Sequence, residues 1–391
     1  MLCGIQMAIQ RELTKFFKHI NPSQEYFEVK KAAFCRARKK IHEDAFKHLA
    51  FLIPKKYYDL VDTRVWKGFR LFAVDGSTVE LPNSKEIVEQ FGIFKTREDG
   101  RTTRMARILS IHDVCSNLIV AAKMNTIHLS ETQMLWEMLP EINFQQDDLI
   151  IMDRYYASAL LIFYMQAMGL NYCFRMKKSW RIVKEFISSG KKSKVVSLKL
   201  PPKDIKEARD LNINDTSIKV RLVKVELPNG GYEILLTSLL NEKKVTVSDM
   251  KQLYAMRWKI ETSFFHLKHK AYIENFTGKS VRAIQQDFYL KIFLLNLTAI
   301  AVAPVNDILA EEYHDPDIAH KGEYMHQVNY TEAFYTVKES IISLFYFHKI
   351  KETGIRIWNR IRRITEPIRK GRSFERNHRP KRKHYMNLKP V

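Results

Sequence analysis

The sequence predicts a mixed α/β protein with helical flanks, and three observations carry that prediction. From Phe69 onward, short apolar runs bounded by turn residues follow one another (RLFAVD, ARILSIHDV, NLIVAAKMNT), as neighbouring strands do. After them helix and strand patterns alternate, the signature of a mixed layered sheet. Before them, residues 1–65 carry apolar side chains at helical spacing, Phe27, Phe34, Ile41, Phe46 and Leu49, with Lys and Arg clustered between.

Taken in order, residues 1–65 predict a basic helical module suited to DNA, and residues 66–178 the first part of the main domain. Ser116-Asn117 marks the turn between the second and third strands. SETQMLWEMLPEI is helical and capped by Ser130, DLIIMD is a buried strand, SALLIFYMQAMG is a helix ending at Gly169, and NYCFRMK is a further strand. Residues 179–235 are rich in Lys and turns, with VVSLKL, SIKVRLVKVEL, a PNGG turn and YEILLTSLL, so they predict a β-rich insertion. Residues 236–329 return to helix, with a long one from Ser280 to about Val302 broken at Pro304. Residues 330–391 give a helix from Tyr330 to about Phe347 and then a basic tail, and no internal repeat is present.

At 391 residues the chain has room for two or three domains. Lys and Arg number 65 against 43 Asp and Glu, a formal net charge of +22, which favours a polyanionic partner, nucleic acid or an anionic membrane surface. The last 43 residues hold 15 basic and 3 acidic side chains, read as a solvated arm whose NRIRRITEPIRKGR and RPKRKHY stretches suit phosphate. Cys3, Cys35, Cys115 and Cys173 show no C-x2-C spacing, so neither a zinc site nor a disulfide framework is indicated, and a reducing cytoplasm fits. The longest apolar run, from Ile292, is 14 residues with Asn296 and Thr298 inside it, so it reads as a buried helix and not a membrane span. The amino terminus lacks the pattern of a signal peptide.

The chemistry concentrates in LYAMRWKIETSFFHLKHKAY, residues 253–272. Read as one helix advancing about 100° per residue, it places Arg257, Glu261 and Lys268 at roughly 300°, 340° and 320° from Tyr254, a single polar stripe. Met256, Ile260 and Leu267 form an adjoining apolar strip that would anchor it. Asp75 follows the apolar run LFAV and Asp153 follows LIIM, so both carboxylates should emerge at the carboxyl ends of adjacent buried strands. Two strand-end aspartates and one helical glutamate make an oxygen cage suited to Mg²⁺, with Mn²⁺ a possible substitute, and a pair of such ions about 3.5–4 Å apart drives phosphodiester displacement. Taken singly, each Asp also reads as a turn residue, and Arg257 with Glu261 as an ordinary i, i+4 pair. His266 and His269 lack a third ligand and read as lining the DNA side, and Ser77 and Thr78 as turn-stabilising residues.

With these residues in hand, the chain resembles the DDE transposases of bacterial insertion sequences, in the branch named for its Y-R-E-K signature. The likeness runs over most of the chain, through ARKKIHEDAF, VDGSTVELP, MDRYYAS, LLTSL and YAMRWKIETSFFHLK. It implies an RNase H-like catalytic core, a mixed sheet with flanking helices, interrupted by a β insertion between the second Asp and the Glu. It makes Asp75, Asp153 and Glu261 the catalytic and metal-binding triad. Tyr254, Arg257, Lys268 and Arg154 become DNA contacts, and Trp258, Arg360, Arg362 and Arg363 join them as candidates on the helix and tail. Tyr155 stands where the family often has glycine, and Trp180 is the only tryptophan of the insertion available to a displaced base, though a half-buried core position suits it as well. The implied reaction is nicking at the element's ends, hairpin formation and resolution, and strand transfer into target DNA, by a dimer that pairs two terminal inverted repeats. The implied setting is the bacterial cytoplasm, associated with the nucleoid. A transposase-derived DNA-binding protein without cleavage activity and a nuclease that hydrolyses without joining are the competing readings.

Overall fold

The computed structural model describes residues 9–23, 29–95, 102–227, 230–315 and 324–369. It divides into two compact units, a sheet unit of Asp62–Thr78 and Arg107–Phe264 and a helical unit of Met1–Val61, Val79–Ala106 and Phe265–Val391.

The chain opens with α1 (Ile9–Ile20), α2 (Lys31–Lys39) and α3 (Glu43–Leu60). The buried face of α3 is Phe46, Ala50, Pro54 and Tyr57, spaced one helical turn apart. Ile41 and Leu49, expected on that face, are exposed instead, at 44% and 43%. The physical reason is local: α2 ends at Lys39, so Ile41 sits in the turn, and Leu49 falls just outside the arc that Phe46, Ala50, Pro54 and Tyr57 span. Phe27 lies outside the described residues.

Next come β1 (Arg70–Glu80), α4 (Lys85–Phe91), β2 (Ile93–Lys95), β3 (Thr102–Asp113) and β4 (Leu118–Thr126). Asn117 adopts φ 61° in the turn before β4, a conformation that asparagine tolerates well. α5 (Glu131–Met138) starts at a full capping box, Ser130 accepting from the Gln133 N–H while the Gln133 side chain accepts from the Ser130 N–H. β5 (Asp148–Met152) is buried along its whole length, α6 (Ala159–Ala167) is capped by Ser158, and Gly169 at φ 69° turns the chain into β6 (Asn171–Arg175). The insertion supplies α7 (Arg181–Ser188), β7 (Ser193–Lys199), α8 (Ile205–Asp210), β8 (Ser217–Glu226) and β9 (Tyr232–Thr237).

The strand order is β2-β3-β1-β5-β6-β9-β8-β7, with β4 on β3. β1 and β5 run parallel from Arg70↔Asp148 to Ala73↔Ile151, and β5 and β6 are parallel as well. The central strands β4-β3-β1-β5-β6, with α5 and α6 crossing between β4, β5 and β6, are the RNase H-like core that the resemblance implies. The insertion's strands add no separate layer, for β9 pairs antiparallel with β6 and β8 and β7 extend the same sheet. One continuous core fills the sheet unit, from Phe72, Val74 and Ile111 through Ile150, Met152 and Phe174 to Leu222 and Leu236. Where β1 meets β5, Arg70 grips the buried Asp148 with two bonds of 2.6 and 2.7 Å.

β1 corrects one expectation. The apolar run LFAV predicts Asp75 at a strand end, but the strand continues through Glu80, so Asp75 stands inside β1, just beyond the stretch paired with β5. Ser77 and Thr78 are therefore strand residues and not members of a turn.

After β9, α9 (Val247–Met256) is followed by α10 (Trp258–Phe265) and a π-helical turn, His266–Lys270. The helical unit continues with α11 (Val281–His314), β10 (His326–Val328), α12 (Tyr330–Phe345), α13 (Ile350–Arg363) and β11 (Thr365–Pro367), which pairs with β10. Pro304 does not break α11, which runs 34 residues through it. The proline ring lies on the exposed side, where the missing N–H strips one bond without burying an orphaned carbonyl. By length and composition α11 could cross a membrane, yet most of its apolar stretch is buried inside the protein. Its two inner polar residues are satisfied there: Asn296 donates to the Ala50 carbonyl at 3.1 Å and Thr298 to the Leu294 carbonyl at 2.7 Å.

The tail departs from the solvated arm read from its charge. α13 buries Thr353, Ile357 and Ile361, packing with Val302, Val305, Ala333 and Val337 of α11 and α12. Residues 370–391, with RPKRKHY, lie outside the described residues.

Candidate active site

Asp153 emerges directly after β5, as expected from its apolar run, and Asp75 lies on the parallel neighbour β1. The helix bearing Glu261 differs from the straight rod of the sequence reading. It is interrupted at Arg257, between α9 and α10, and gives way to a π turn at His266. A stripe computed at a constant 100° per residue therefore does not carry from Tyr254 to Lys268. The first half of the stripe also faces inward: Leu253, Tyr254, Arg257, Ile260 and Phe264 are buried while Met256, Glu261 and Lys268 are only half-buried, so the anchoring side is shared by polar and apolar residues.

The buried Arg257 guanidinium is the centre of the site. It donates to Glu261 Oε1 at 3.3 Å and stands 4.0 Å from Asp75 Oδ2. Burial works against its charge, but Tyr254 and then Asp75, Asp153 and Glu261 all favour it, and the net shift is upward. Its Nε has no hydrogen-bond partner. Asp153 receives the Tyr254 hydroxyl at 3.2 Å and Arg175 Nη1 at 3.4 Å. Arg175, at the end of β6, is itself held by Glu233 of β9, with Nε–Oε2 at 2.7 Å. Burial raises the Tyr254 phenol well above its ordinary range, so it stays a protonated donor.

Asp75 is the strained member. Burial pushes its carboxyl up to about 6; the Gly76 N–H, donating at 3.0 Å, and Arg257 pull it down, while Glu131 and Glu261 push it up again. Glu131, on the first turn of α5, is a fourth acid that the sequence reading did not single out. Ser130 marks its position as a helix start, but nothing local to it signals an approach to Gly76.

Among the described residues no three acidic, histidine or cysteine side chains stand together closely enough to hold a metal ion. The acids of the expected cage are gathered around Arg257 instead. As a donor set they nevertheless fit a hard divalent cation: three carboxylates, one of them short of counter-charge at neutral pH.

The remaining candidates divide. Arg154 is exposed beside Asp153, and Trp258 is 53% exposed with the Arg257 guanidinium 5.1 Å over its ring. Trp180 is half-buried against the sheet unit's core at the start of α7. Lys268 lies half-buried in the π turn of the helical unit. His266, expected on a DNA-facing side, is instead stacked on Tyr330 with ring centroids 3.8 Å apart, and burial lowers its pKa to about 4. On α13, Arg360 reaches Glu339 at 3.5 Å and Glu332 at 3.9 Å, and Arg362 pairs with Glu312. Arg363 is exposed.

The mixed sheet thus gathers acids from β1, from the end of β5 and from a following helix around one arginine. The family profile described as "Transposase DDE domain" matches residues 66–297, and the chain belongs to that family, enzymes that cleave and rejoin DNA strands and work with divalent metal ions. It is 21% identical over 350 residues to the transposase InsG of insertion sequence element IS4 from Escherichia coli (strain K12), an alignment covering 88% of this chain and 75% of that one. Among solved structures it is similar to the piggyBac transposase in a synaptic complex with hairpin DNA, at 10% identity and a TM-score of 0.39. That match covers 83% of this chain, which spans only 64% of the other's length.

Proposed function

We propose that this chain is the transposase of an insertion sequence, cutting at the terminal inverted repeats and joining the freed 3′ ends to target DNA, with Asp75, Asp153 and Glu261 as its catalytic acids. The observation that carries the reading is Arg257: one buried guanidinium lies within electrostatic reach of acids from three separate elements, an arrangement with no purpose in a plain core. The three carboxylates would hold Mg²⁺ or Mn²⁺, which when bound activates the attacking oxygen and stabilises the leaving one. Tyr254 and Arg175 orient Asp153 in readiness. In the sheet unit Arg257, Tyr254, Arg154 and Trp258 are the donors and ring offered to DNA phosphates, and in the helical unit Lys268, Arg360, Arg362 and Arg363 are the candidate phosphate contacts.

Pairing two element ends calls for a homodimer. Exposed Phe345, Tyr346, Phe347, Ile350 and Ile355, at the end of α12 and along α13, support a contact there. The division into an N-terminal DNA-binding module, an interrupted catalytic core and a basic C-terminal region goes with the same reading.

The test is cleavage and joining of duplex DNA that carries the element's terminal repeats, with Mg²⁺ present. Wild-type protein should yield joined product and Glu261→Gln none. Equal activity of the two proteins overturns the assignment, and cleavage without joining favours the hydrolytic alternative.

A further inference from the structure

We infer that Glu131 is a positioning residue that holds the segments bearing Asp75 and Asp153 in register, an inference that rests on reading those two as the catalytic aspartates. Three contacts meet at its carboxylate. The first is with the backbone of β1: a Cβ built on Gly76 would stand 2.1 Å from Glu131 Cδ and 2.5 Å from each of its oxygens. The acid thus packs directly against the chain one residue after Asp75, and a side chain at Gly76 would have to push the Glu131 carboxylate out of its present place. The second is with the loop after β5: the buried Tyr156 donates its hydroxyl to Glu131 Oε2 at 2.8 Å, and the Tyr156 N–H donates to the Asp153 carbonyl at 3.0 Å. The third fixes the acid itself, since Arg107 Nη1 donates to Oε1 at 3.1 Å while Nη2 is anchored on the Ile127 carbonyl at 3.2 Å.

Both carboxylate oxygens are thus engaged, Oε1 by the anchoring Arg107 and Oε2 by Tyr156 of the loop that carries Asp153. Its chemistry is that of a tie: a partly buried ion pair with Arg107 keeps the carboxylate in place, and a phenol bond transmits that placement to the loop of Asp153. Losing the tie frees the two aspartates to drift relative to each other, and a displacement of about 1 Å can cost on the order of a hundredfold in rate.

The experiment uses the full chain and duplex DNA carrying the terminal repeats. Glu131→Ala should lower kcat on the order of a hundredfold while the KM for DNA stays within about twofold. Glu131→Gln, which keeps one acceptor oxygen, should retain more activity than the alanine variant. Tyr156→Phe, which removes one oxygen and preserves the ring, should lose roughly tenfold and add nothing further in the Glu131→Ala background. Glu261→Gln serves as the control. If it is inactive while Glu131→Ala and Tyr156→Phe keep wild-type kcat, or their losses simply add, the positioning role falls and the catalytic reading stands. A loss of activity that follows only the unfolded fraction in thermal melts overturns the positioning role as well. If Glu261→Gln cleaves like wild type, the catalytic reading itself has failed.

Discussion

Each unit holds a buried arginine beside an aspartate, and the two pairs are built to opposite ends. In the helical unit Arg38 bonds Asp287 at 3.0 Å and the Ala283 carbonyl at 2.7 Å, and it also reaches Gln286 and Thr277. Asp287 in turn receives the Thr277 N–H at 2.7 Å and the Thr277 hydroxyl. In the sheet unit Arg257 stops 4.0 Å short of Asp75 and leaves Nε unpaired, and the Asp75 carboxyl is pushed up to about 6. A saturated pair fixes a helix to its neighbour. An unsaturated one keeps charge in reserve for something that arrives later, which is how a site differs from a brace.

The contrast breaks most visibly at Asp287. Replacing it with alanine strands a buried guanidinium, so Asp287→Ala should cost about 3–5 kcal/mol in denaturant unfolding, whereas a loss under about 1 kcal/mol would put the two pairs in the same class. Asp75→Asn should act in the opposite direction. Because burial lifts the folded carboxyl from an ordinary 3.8 to about 6, the native state binds the extra proton between those values and stability falls as pH rises through them. At pH 7 the variant should therefore be more stable by roughly 2–3 kcal/mol while inactive, with the difference gone by about pH 4.

His266 sharpens the comparison with the reverse sign. Its pKa is depressed from 6.5 to about 4, so stability from keeping the ring neutral is present above 6.5 and is lost as pH falls from there toward 4. Thermal melts of His266→Gln across that window should be flatter than wild type. Smaller again is the effect of ending the chain after Arg369, which removes eight Lys and Arg and one Glu. DNA binding should lose about 0.9 units of salt slope per phosphate contact removed, and an unchanged slope would show that these residues touch none. Least of all, Arg362→Ala should shift stability by only about 0–1 kcal/mol, because its partner Glu312 is exposed.

Much of the sheet was legible because buried strands must be apolar and turns must be polar: RLFAVD, DLIIMD and NYCFRMK each became the strand they predicted, and Ser130 and Ser158 each capped a helix. What stayed hidden was set by tertiary contact. No periodicity announces that β1 runs on past Asp75, because polar Gly76, Ser77 and Thr78 resemble a turn until neighbouring backbone supplies their ladder. The break at Arg257 and the π turn at His266 are likewise invisible to an ideal helix of fixed pitch. Pro304 was read as a stop from its own chemistry, but burial of the surrounding Val302 and Val305 outweighs one missing bond. Arg175 and Glu131 escaped because their partners lie far off in sequence; a charge at the end of a buried strand was the only hint of the first.

The return of β9 to β6 has an evolutionary consequence. Since the excursion after Arg175 leaves and re-enters at paired strands, with Arg175 clasping Glu233 across that junction, the chain between them is closed like a hairpin. Lengthening the turns at the β7–β8 end would add only loop-closure entropy, a slowly growing penalty, without moving the helix that carries Glu261. The junction is thus a place where descendants could acquire new DNA-handling surface while the cutting machinery stays as it is.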